Sequence, residues 1–135
     1  MLALDRLEIG NVRILLQDAA EVFLRRFTER SLDNVLIYFP DPWPKKRHHK
    51  RRILRPDFLH SLARCLKLKG FLRIATDCNH YCQTILDYIA LEPLLEKLDP
   101  PDQGMESLHR RTITKYEAQG IEQGHSILDI LARRA

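Results

Sequence analysis

The fold of this chain is decided by the stretch Val35-Leu36-Ile37-Tyr38-Phe39, which runs directly into Pro40-Asp41-Pro42-Trp43. Five apolar residues in a row are typical of a strand that is covered on both faces, as in a parallel sheet. An acidic residue that follows such a strand lies at the sheet edge where open α/β proteins bind their ligands. Asp41 is therefore the first candidate functional residue.

A cationic segment, Lys45–Arg52, follows in the same loop and contains six Lys or Arg and two His. The chain carries a net charge of +4, but removing those six cations leaves 16 Lys and Arg against 18 Asp and Glu. The positive charge is therefore local, as expected of a loop that contacts phosphates. A carboxylate beside such a loop predicts an enzyme that acts on nucleic acid, with a merely solvated cationic loop as the alternative.

Strands and helices alternate along the rest of the chain. We predict a short strand at 11–17 that runs into Asp18, and another at 71–76 that runs into Asp77. Helical spacing of apolar residues predicts helices at 19–27, from Pro56 to Lys69-Gly70, and at 79–90. Two further strands are predicted, a weak one at 94–98 and a better one at 127–131. This alternation is typical of a doubly wound α/β protein, and it places three acids along one edge of the sheet.

Length and composition limit the classes of protein. A chain of 135 residues is at most one domain, and its apolar runs are far shorter than the roughly 20 residues needed to span a bilayer. Cys78 and Cys82 share a helix face, but His80 points elsewhere, so we expect structural thiols and no metal site. The three cysteines and the absence of a signal-peptide pattern favour a reducing cytoplasm.

Three blocks of this sequence resemble the motifs of the bacterial tRNA (guanine-N7)-methyltransferases. The first is Phe39-Pro40-Asp41-Pro42-Trp43 with Lys45 and Lys50-Arg51-Arg52-Ile53, and the second is Ala75-Thr76-Asp77. The third is Thr114-Lys115-Tyr116-Glu117, followed by Gly120 and Gly124-His125. The resemblance covers essentially the whole chain. It implies methyl transfer from S-adenosylmethionine (AdoMet) to N7 of a guanine in the variable loop of tRNA.

The resemblance also implies roles for individual residues. Asp41 is expected to be the catalytic and AdoMet-proximal carboxylate, and Asp18 a second AdoMet contact near the adenine. The expected substrate contacts are Lys45, Asp77, Thr114, Lys115, Tyr116 and Glu117, and the expected RNA-binding residues are Arg47, His48, His49, Lys50, Arg51 and Arg52.

Several of these residues also fit purely structural roles. Asp41 between two prolines is a plausible turn residue. Asp18, Asp77 and the spacing Thr114-x-x-Glu117 all match signals for the start of a helix. Trp43 fits a packing role in the loop better than a role as a base-stacking platform.

The chain departs from the family pattern in its first half. That pattern begins with a strand entering a Gly-rich loop and a second strand ending in an acid that holds the AdoMet ribose, and we find neither. We therefore expect residues 1–135 to form an incomplete, Rossmann-like class I methyltransferase domain that lacks strands 1 and 2. The alternatives to an enzyme are a non-catalytic tRNA-binding remnant and a subunit that needs a complementary chain.

The missing strands have a consequence for the sheet. The family order is 3-2-1-4-5-7-6, so both strands would lie between the Asp18 strand and Val35–Phe39. Without them Val35–Phe39 becomes an exposed edge, which is a template for pairing with another strand. We expect self-association or binding of a complementary fragment through this edge.

Overall fold

A four-stranded sheet forms the centre of the protein in the computed structural model, which describes residues 6–99 and 113–135. The strands are β1 (Leu32–Tyr38), β2 (Leu66–Thr76), β3 (Leu95–Leu98) and β4 (Leu128–Arg134). Their order is β1-β2-β4-β3; β1 is parallel to β2, and β4 is antiparallel to both of its neighbours. The order agrees with the 4-5-7-6 half of the expected sheet, so the predicted α/β class is confirmed.

The α-helices of the described residues are α1 (Ala19–Arg25), α2 (Pro56–Cys65), α3 (Asn79–Leu91) and α4 (Lys115–Glu122), and they accompany the sheet. A short 3₁₀-helix spans Lys46–Arg51. The polar, proline-containing residues 99–116 predict a loop, and most of that range, residues 100–112, lies outside the described part of the chain. None of the helices described in the structure has the length and apolar character to cross a membrane.

The core lies where α2 and α3 pack on β2. Leu59 and Leu62 of α2 and Ile85 of α3 are buried against Leu72 and Ile74 of the strand. Burying one such side chain stabilises the fold by about 1.5–3 kcal/mol relative to leaving it exposed. This core holds β2 in place, and with it the ends of the strands that carry Asp41 and Asp77.

Parallel pairing brings those two ends together. Ile37 of β1 pairs with Ile74 of β2, and Tyr38 pairs with Ala75. Because both strands run in the same direction and stop at the same level, the residues that follow them emerge at one edge of the sheet. The loop with Asp41 and the turn with Asp77 therefore start as neighbours.

The strand predicted at 11–17 is wrong. Residues 11–17 are coil and bends outside the sheet, and Leu16 is fully exposed (100%). A strand needs a neighbour for its backbone N–H and C=O groups, and among the described residues β1 pairs only with β2. The apolar pattern of this segment therefore has no sheet to join in this chain.

The predicted end of α2 is also wrong. The helix ends at Cys65, and β2 begins at once with Leu66, which pairs with Leu32. Lys67 then donates to Asp33 (2.8 Å between Nζ and Oδ1), and the register shifts before Phe71 pairs with Asn34. The residues up to Gly70, assigned to a helix end from sequence, are thus an irregular start of the strand.

Substituting Gly70 tests this irregularity. A Cβ there would lie 2.6 Å from the Asp33 carbonyl oxygen and 2.9 Å from that of Lys67. We expect Gly70→Ala to lower the free energy of unfolding by about 1–3 kcal/mol, because backbone must move. The control is Gly10→Ala, whose Cβ meets nothing within 4 Å. Urea unfolding of both variants is the measurement, and equal stability of the two would contradict the described strand start.

Candidate functional site

Asp41 lies in a strained loop that leaves the end of β1. The N–H of Phe39 still donates to the Ala75 carbonyl (2.8 Å), but Phe39 and Trp43 both have positive φ, at 49° and 40°. The Trp43 N–H donates to Oδ1 of Asp41 (3.2 Å), so the predicted turn role is confirmed. Asp41 is nevertheless exposed, and its carboxylate is accessible to a ligand.

The cationic segment packs against this loop. The Arg51 guanidinium lies over the Trp43 ring, 4.9 Å from its centroid, and the His48 ring meets the indole edge-on at 5.6 Å. A ring nitrogen of His49 lies 3.3 Å from the Pro44 carbonyl oxygen. Bulky residues at positive φ cost about 1–3 kcal/mol each and persist only where their surroundings hold them. The segment predicted to bind RNA therefore also supports the Asp41 loop.

Asp77 is the centre of a second group of side chains. The Tyr116 hydroxyl donates to Oδ2 of Asp77 (3.2 Å), and Nδ1 of His125 lies 3.7 Å from the same oxygen. The Phe39 ring packs on the Tyr116 ring at 5.0 Å. These contacts attach α4 to the ends of β1 and β2.

Asp77 is not the cap of α3. Cys78 is the N-cap residue of α3 and makes no side-chain capping bond. The N–H of Cys78 donates to the hydroxyl oxygen of Thr76 (3.2 Å). The Asp77 carboxylate raises the pKa of the Tyr116 phenol, because a phenolate beside it would be repelled. Tyr116 consequently stays protonated and remains a donor to Asp77.

The capping prediction for Thr114 is confirmed. Its hydroxyl accepts from the Glu117 N–H (3.1 Å) at the start of α4, and the Glu117 side chain is buried. Thr114 and Tyr116 also face Asp41 across an open cleft of about 540 Å³, whose other lining residues are Tyr38, Phe39 and Pro42. The structure thus brings the first and third sequence blocks together.

Asp18 lies elsewhere. Its carboxylate accepts from the Glu21 N–H (3.2 Å) and caps α1, which confirms the capping prediction. It lines a smaller cavity of about 210 Å³ with Ala19, Ala20, Ile53, Phe58 and the cations Lys50, Arg51, Arg52 and Arg55. The two carboxylates expected to contact AdoMet, Asp18 and Asp41, therefore line different cavities.

The candidate RNA-binding residues differ in accessibility. Arg47, Lys50 and Arg51 are exposed, as are Lys45 and Lys115, whereas His48 and His49 are half-buried. Arg52 is buried, with 4% of its surface exposed, and its guanidinium is bonded to groups of the protein itself. Arg52 therefore differs from the exposed cations of the segment in the accessibility of its side chain.

Two participants in the site had weak sequence signals. Phe39 was assigned to the strand and to the first sequence block without a role of its own, and its contact with Tyr116 depends on two segments more than 70 residues apart. His125 belonged to a quoted motif without an assigned role. Its N–H donates to the Gly120 carbonyl (2.9 Å), and a Cβ at Gly120 would be in ordinary van der Waals contact with its ring, 3.6 Å from Nδ1.

No group of three or more His, Cys, Asp or Glu side chains is arranged to hold a metal ion within the described ranges. Cys65 is buried, Cys78 and Cys82 are half-buried, and all three are free thiols. Burial raises the pKa of the Cys65 and Cys82 thiols, which disfavours the thiolate that a metal would bind.

The fold is that of part of an AdoMet-dependent methyltransferase. A SAM-dependent O-methyltransferase from Thermotoga maritima matches 99% of this chain with 44% of its own (TM-score 0.55, 17% identity). A SAM-dependent methyltransferase from Archaeoglobus fulgidus matches 98% of this chain with 72% of its own (TM-score 0.53, 11% identity). At these identities the similarity concerns the fold alone.

The sequence family is more specific. A family model described as "Putative methyltransferase" matches residues 1–130, and the chain belongs to this methyltransferase family. The tRNA (guanine-N(7)-)-methyltransferase of Alkalilimnicola ehrlichii is 40% identical over 134 residues, or 99% of this chain and 56% of the relative. That of Corynebacterium diphtheriae is 44% identical over 98% of this chain and 51% of the relative. The chain thus spans about half the length of the curated relatives it matches.

The Asp77–Tyr116 contact gives a direct test of the site geometry. We expect Asp77→Asn to lower the pKa of Tyr116 towards the ordinary tyrosine value, because the negative charge that opposes ionisation is removed. The measurement is the tyrosinate absorbance between pH 9 and 12, with Tyr116→Phe identifying the contribution of that residue. Asp87→Asn, on the exposed face of α3, is the control. An unchanged Tyr116 titration in Asp77→Asn would contradict the contact.

Proposed function

We propose that this chain is the substrate-recognising part of a tRNA (guanine-N7)-methyltransferase. The observation that carries the proposal is the loop from Phe39 to Arg52, in which an accessible carboxylate and exposed cations are held in one packed unit. Relatives that bear this enzyme name match nearly the whole chain. Because those relatives are about twice as long, the activity of the whole enzyme is part of the proposal.

Asp41 is the proposed catalytic residue. Guanine N7 has an available lone pair and needs no base to activate it, so methyl transfer depends mainly on alignment, which can supply about 7–11 kcal/mol. The product guanine gains positive charge, and a fixed carboxylate stabilises that charge as it develops. The open cleft beside Asp41 has room for a base between Phe39, Pro42 and Tyr116.

Asp77 and the residues from Thr114 to Glu117 are proposed to contact the guanine and the rest of the substrate. Carboxylates accept hydrogen bonds from N1–H and N2–H₂ of guanine, groups that adenine does not present in the same pattern. Asp77 and Glu117 are the candidates for this recognition, with Lys45, Thr114, Lys115 and Tyr116 as the further substrate contacts. Asp77 is held by Tyr116 at the end of β2, which favours a fixed orientation of its carboxylate.

The exposed cations of the 3₁₀-helix are the proposed tRNA contacts. Arg47, Lys50 and Arg51 present positive charge to solvent in the segment that follows Asp41, where they would neutralise backbone phosphates. His48 and His49 add to this charge only when they are protonated. Because tRNA is the proposed substrate, we also propose a cytoplasmic location.

AdoMet is the proposed methyl donor, and the residues of this chain fit only part of its site. When bound, AdoMet supplies a methyl group attached to a sulfonium. Asp41 fits a position next to that group at the strand end, but Asp18 lines another cavity. We therefore propose that residues 1–135 form an incomplete methyltransferase domain that meets the donor from the guanine side.

Methylation and binding are separable tests. We expect the chain to bind unmodified tRNA, and to methylate guanine N7 when mixed with the half of the Alkalilimnicola ehrlichii enzyme that it does not match. Asp41→Asn should abolish methylation and leave tRNA affinity within about twofold, because Asp41 acts on the base and not on phosphates. Methylation is measured as chemical cleavage of the tRNA at N7-methylguanine after incubation with AdoMet, and tRNA affinity is measured by filter binding. Methylation by Asp41→Asn would exclude the proposed role, and failure to bind tRNA would exclude the proposed function.

The outer edge of β1 is the proposed association surface. Leu36 of β1 is 54% exposed, and Ile14, Leu15, Leu16 and Leu24 are exposed apolar residues as well. In the described structure the strand's hydrogen-bonding partner is β2 alone. An open apolar edge pairs readily with another strand, so we propose that a complementary methyltransferase fragment or, without one, a second copy binds along Val35–Phe39.

A charge placed on this edge tests the association. We expect Leu36→Lys to weaken self-association or fragment binding at least tenfold, because a lysine on an edge strand disfavours pairing. The control is Leu91→Lys, at an 81% exposed position at the end of α3. Sedimentation velocity of the two variants is the measurement. A wild-type chain that stays monomeric at high concentration and with the fragment would contradict the proposal.

A further inference from the structure

Arg52 is the exception in the cationic segment. Its neighbour Arg51 is exposed, whereas Arg52 retains only 4% exposure. A buried guanidinium stays charged and must be compensated by the protein, because its loss of hydration is costly. A side chain that contacts phosphates is expected to keep its charged group exposed to solvent.

The contacts of Arg52 join the Asp41 loop to α3. Its Nε donates to the Pro42 carbonyl oxygen at 2.6 Å, and its Nη2 lies 3.2 Å from Nδ1 of His80. Because a guanidinium can only donate, Nδ1 of His80 accepts and the histidine proton lies on Nε2. The guanidinium carbon also lies 4.5 Å from the centroid of the Tyr81 ring, a geometry in which the ring compensates the cation.

The helix end of this connection is rigid. Tyr81 is fully buried, and its hydroxyl accepts from the Leu54 N–H (3.1 Å). Burial raises the pKa of the Tyr81 phenol and keeps it neutral. The chain on both sides of Ile53 is therefore anchored to one aromatic side chain of α3, which belongs to the central core.

The loop end of the connection is the strained one. Pro42 stands between Asp41 and Trp43, and Trp43 has a φ of 40°. A bulky residue in this conformation is held by its surroundings at a cost of about 1–3 kcal/mol. The short bond from Arg52 fixes the carbonyl immediately before Trp43 and immediately after Asp41.

We propose that Arg52 is a positioning residue, which holds the Asp41 loop on α3, and that it makes no contact with RNA. The catalytic consequence rests on the proposed role of Asp41, but the structural role does not. Lysine cannot replace arginine here, because one ammonium group cannot reproduce the planar arrangement of donors that reaches both Pro42 and His80 while it stacks on a ring.

The chain's single tryptophan, Trp43, reports directly on this loop. We expect Arg52→Gln and Arg52→Lys to shift the Trp43 emission to longer wavelength and to increase its quenching by acrylamide at least twofold. The matched control is Arg47→Gln, the same change at an exposed cation of the segment, which should leave Trp43 unaffected. If Arg52→Gln does not fold, His80→Ala removes one partner of the guanidinium and should produce the same shift. Unchanged emission in folded Arg52 or His80 variants would overturn the proposal.

Salt dependence of tRNA binding provides the second measurement. Losing a phosphate contact reduces the slope of log Kd against log salt concentration by about 1. We expect this reduction for Arg47→Gln, whereas Arg52→Gln should weaken binding at all salt concentrations with its slope unchanged. An equal reduction of slope in both variants would overturn the proposal. If no variant binds tRNA, the proposed function fails, and the Trp43 emission still decides the role of Arg52.

Discussion

The parallel pairing of β1 with β2 is the constraint on which the rest of the structure depends. It sets Tyr38 beside Ala75, so the Asp41 loop and Asp77 emerge at the same edge. The pairing is stabilised by α2 and α3, whose buried side chains pack on β2. The carboxyl edge of an open α/β sheet is where ligands bind, and here it carries a carboxylate after each of two neighbouring strands.

The cationic loop combines two functions that composition alone does not separate. Some of its cations face solvent, where they suit phosphates, while Arg51 and Arg52 also lie on the aromatic rings of Trp43 and Tyr81. Arginine suits this dual use, because its planar cation stacks and donates at the same time. The loop therefore supports its own strained conformation with arginines of the cationic segment.

The open edge of β1 agrees with the partial match between this chain and its longer relatives. The relatives are about twice as long, and the sheet of the described residues corresponds to one half of the expected strand order. The apolar side chains within residues 12–16 remain exposed. The Asp41 and Asp77 strand ends are present in this chain, and among the described residues the outer edge of β1 has no strand beside it.

The sequence by itself determined the α/β class, the cores of all four strands and the helix caps Asp18 and Thr114, because apolar runs and helix caps are local signals. The Asp41, Asp77 and Thr114 blocks were identified by their resemblance to family motifs. Only the tertiary structure decided the rest. It excluded the strand at 11–17, since a strand requires a neighbour, and it turned the end of α2 into the start of β2, since Leu66 pairs with Leu32. It also separated Arg52 from the otherwise similar cations beside it, because burial depends on what α3 brings to that side chain and not on its neighbours in sequence.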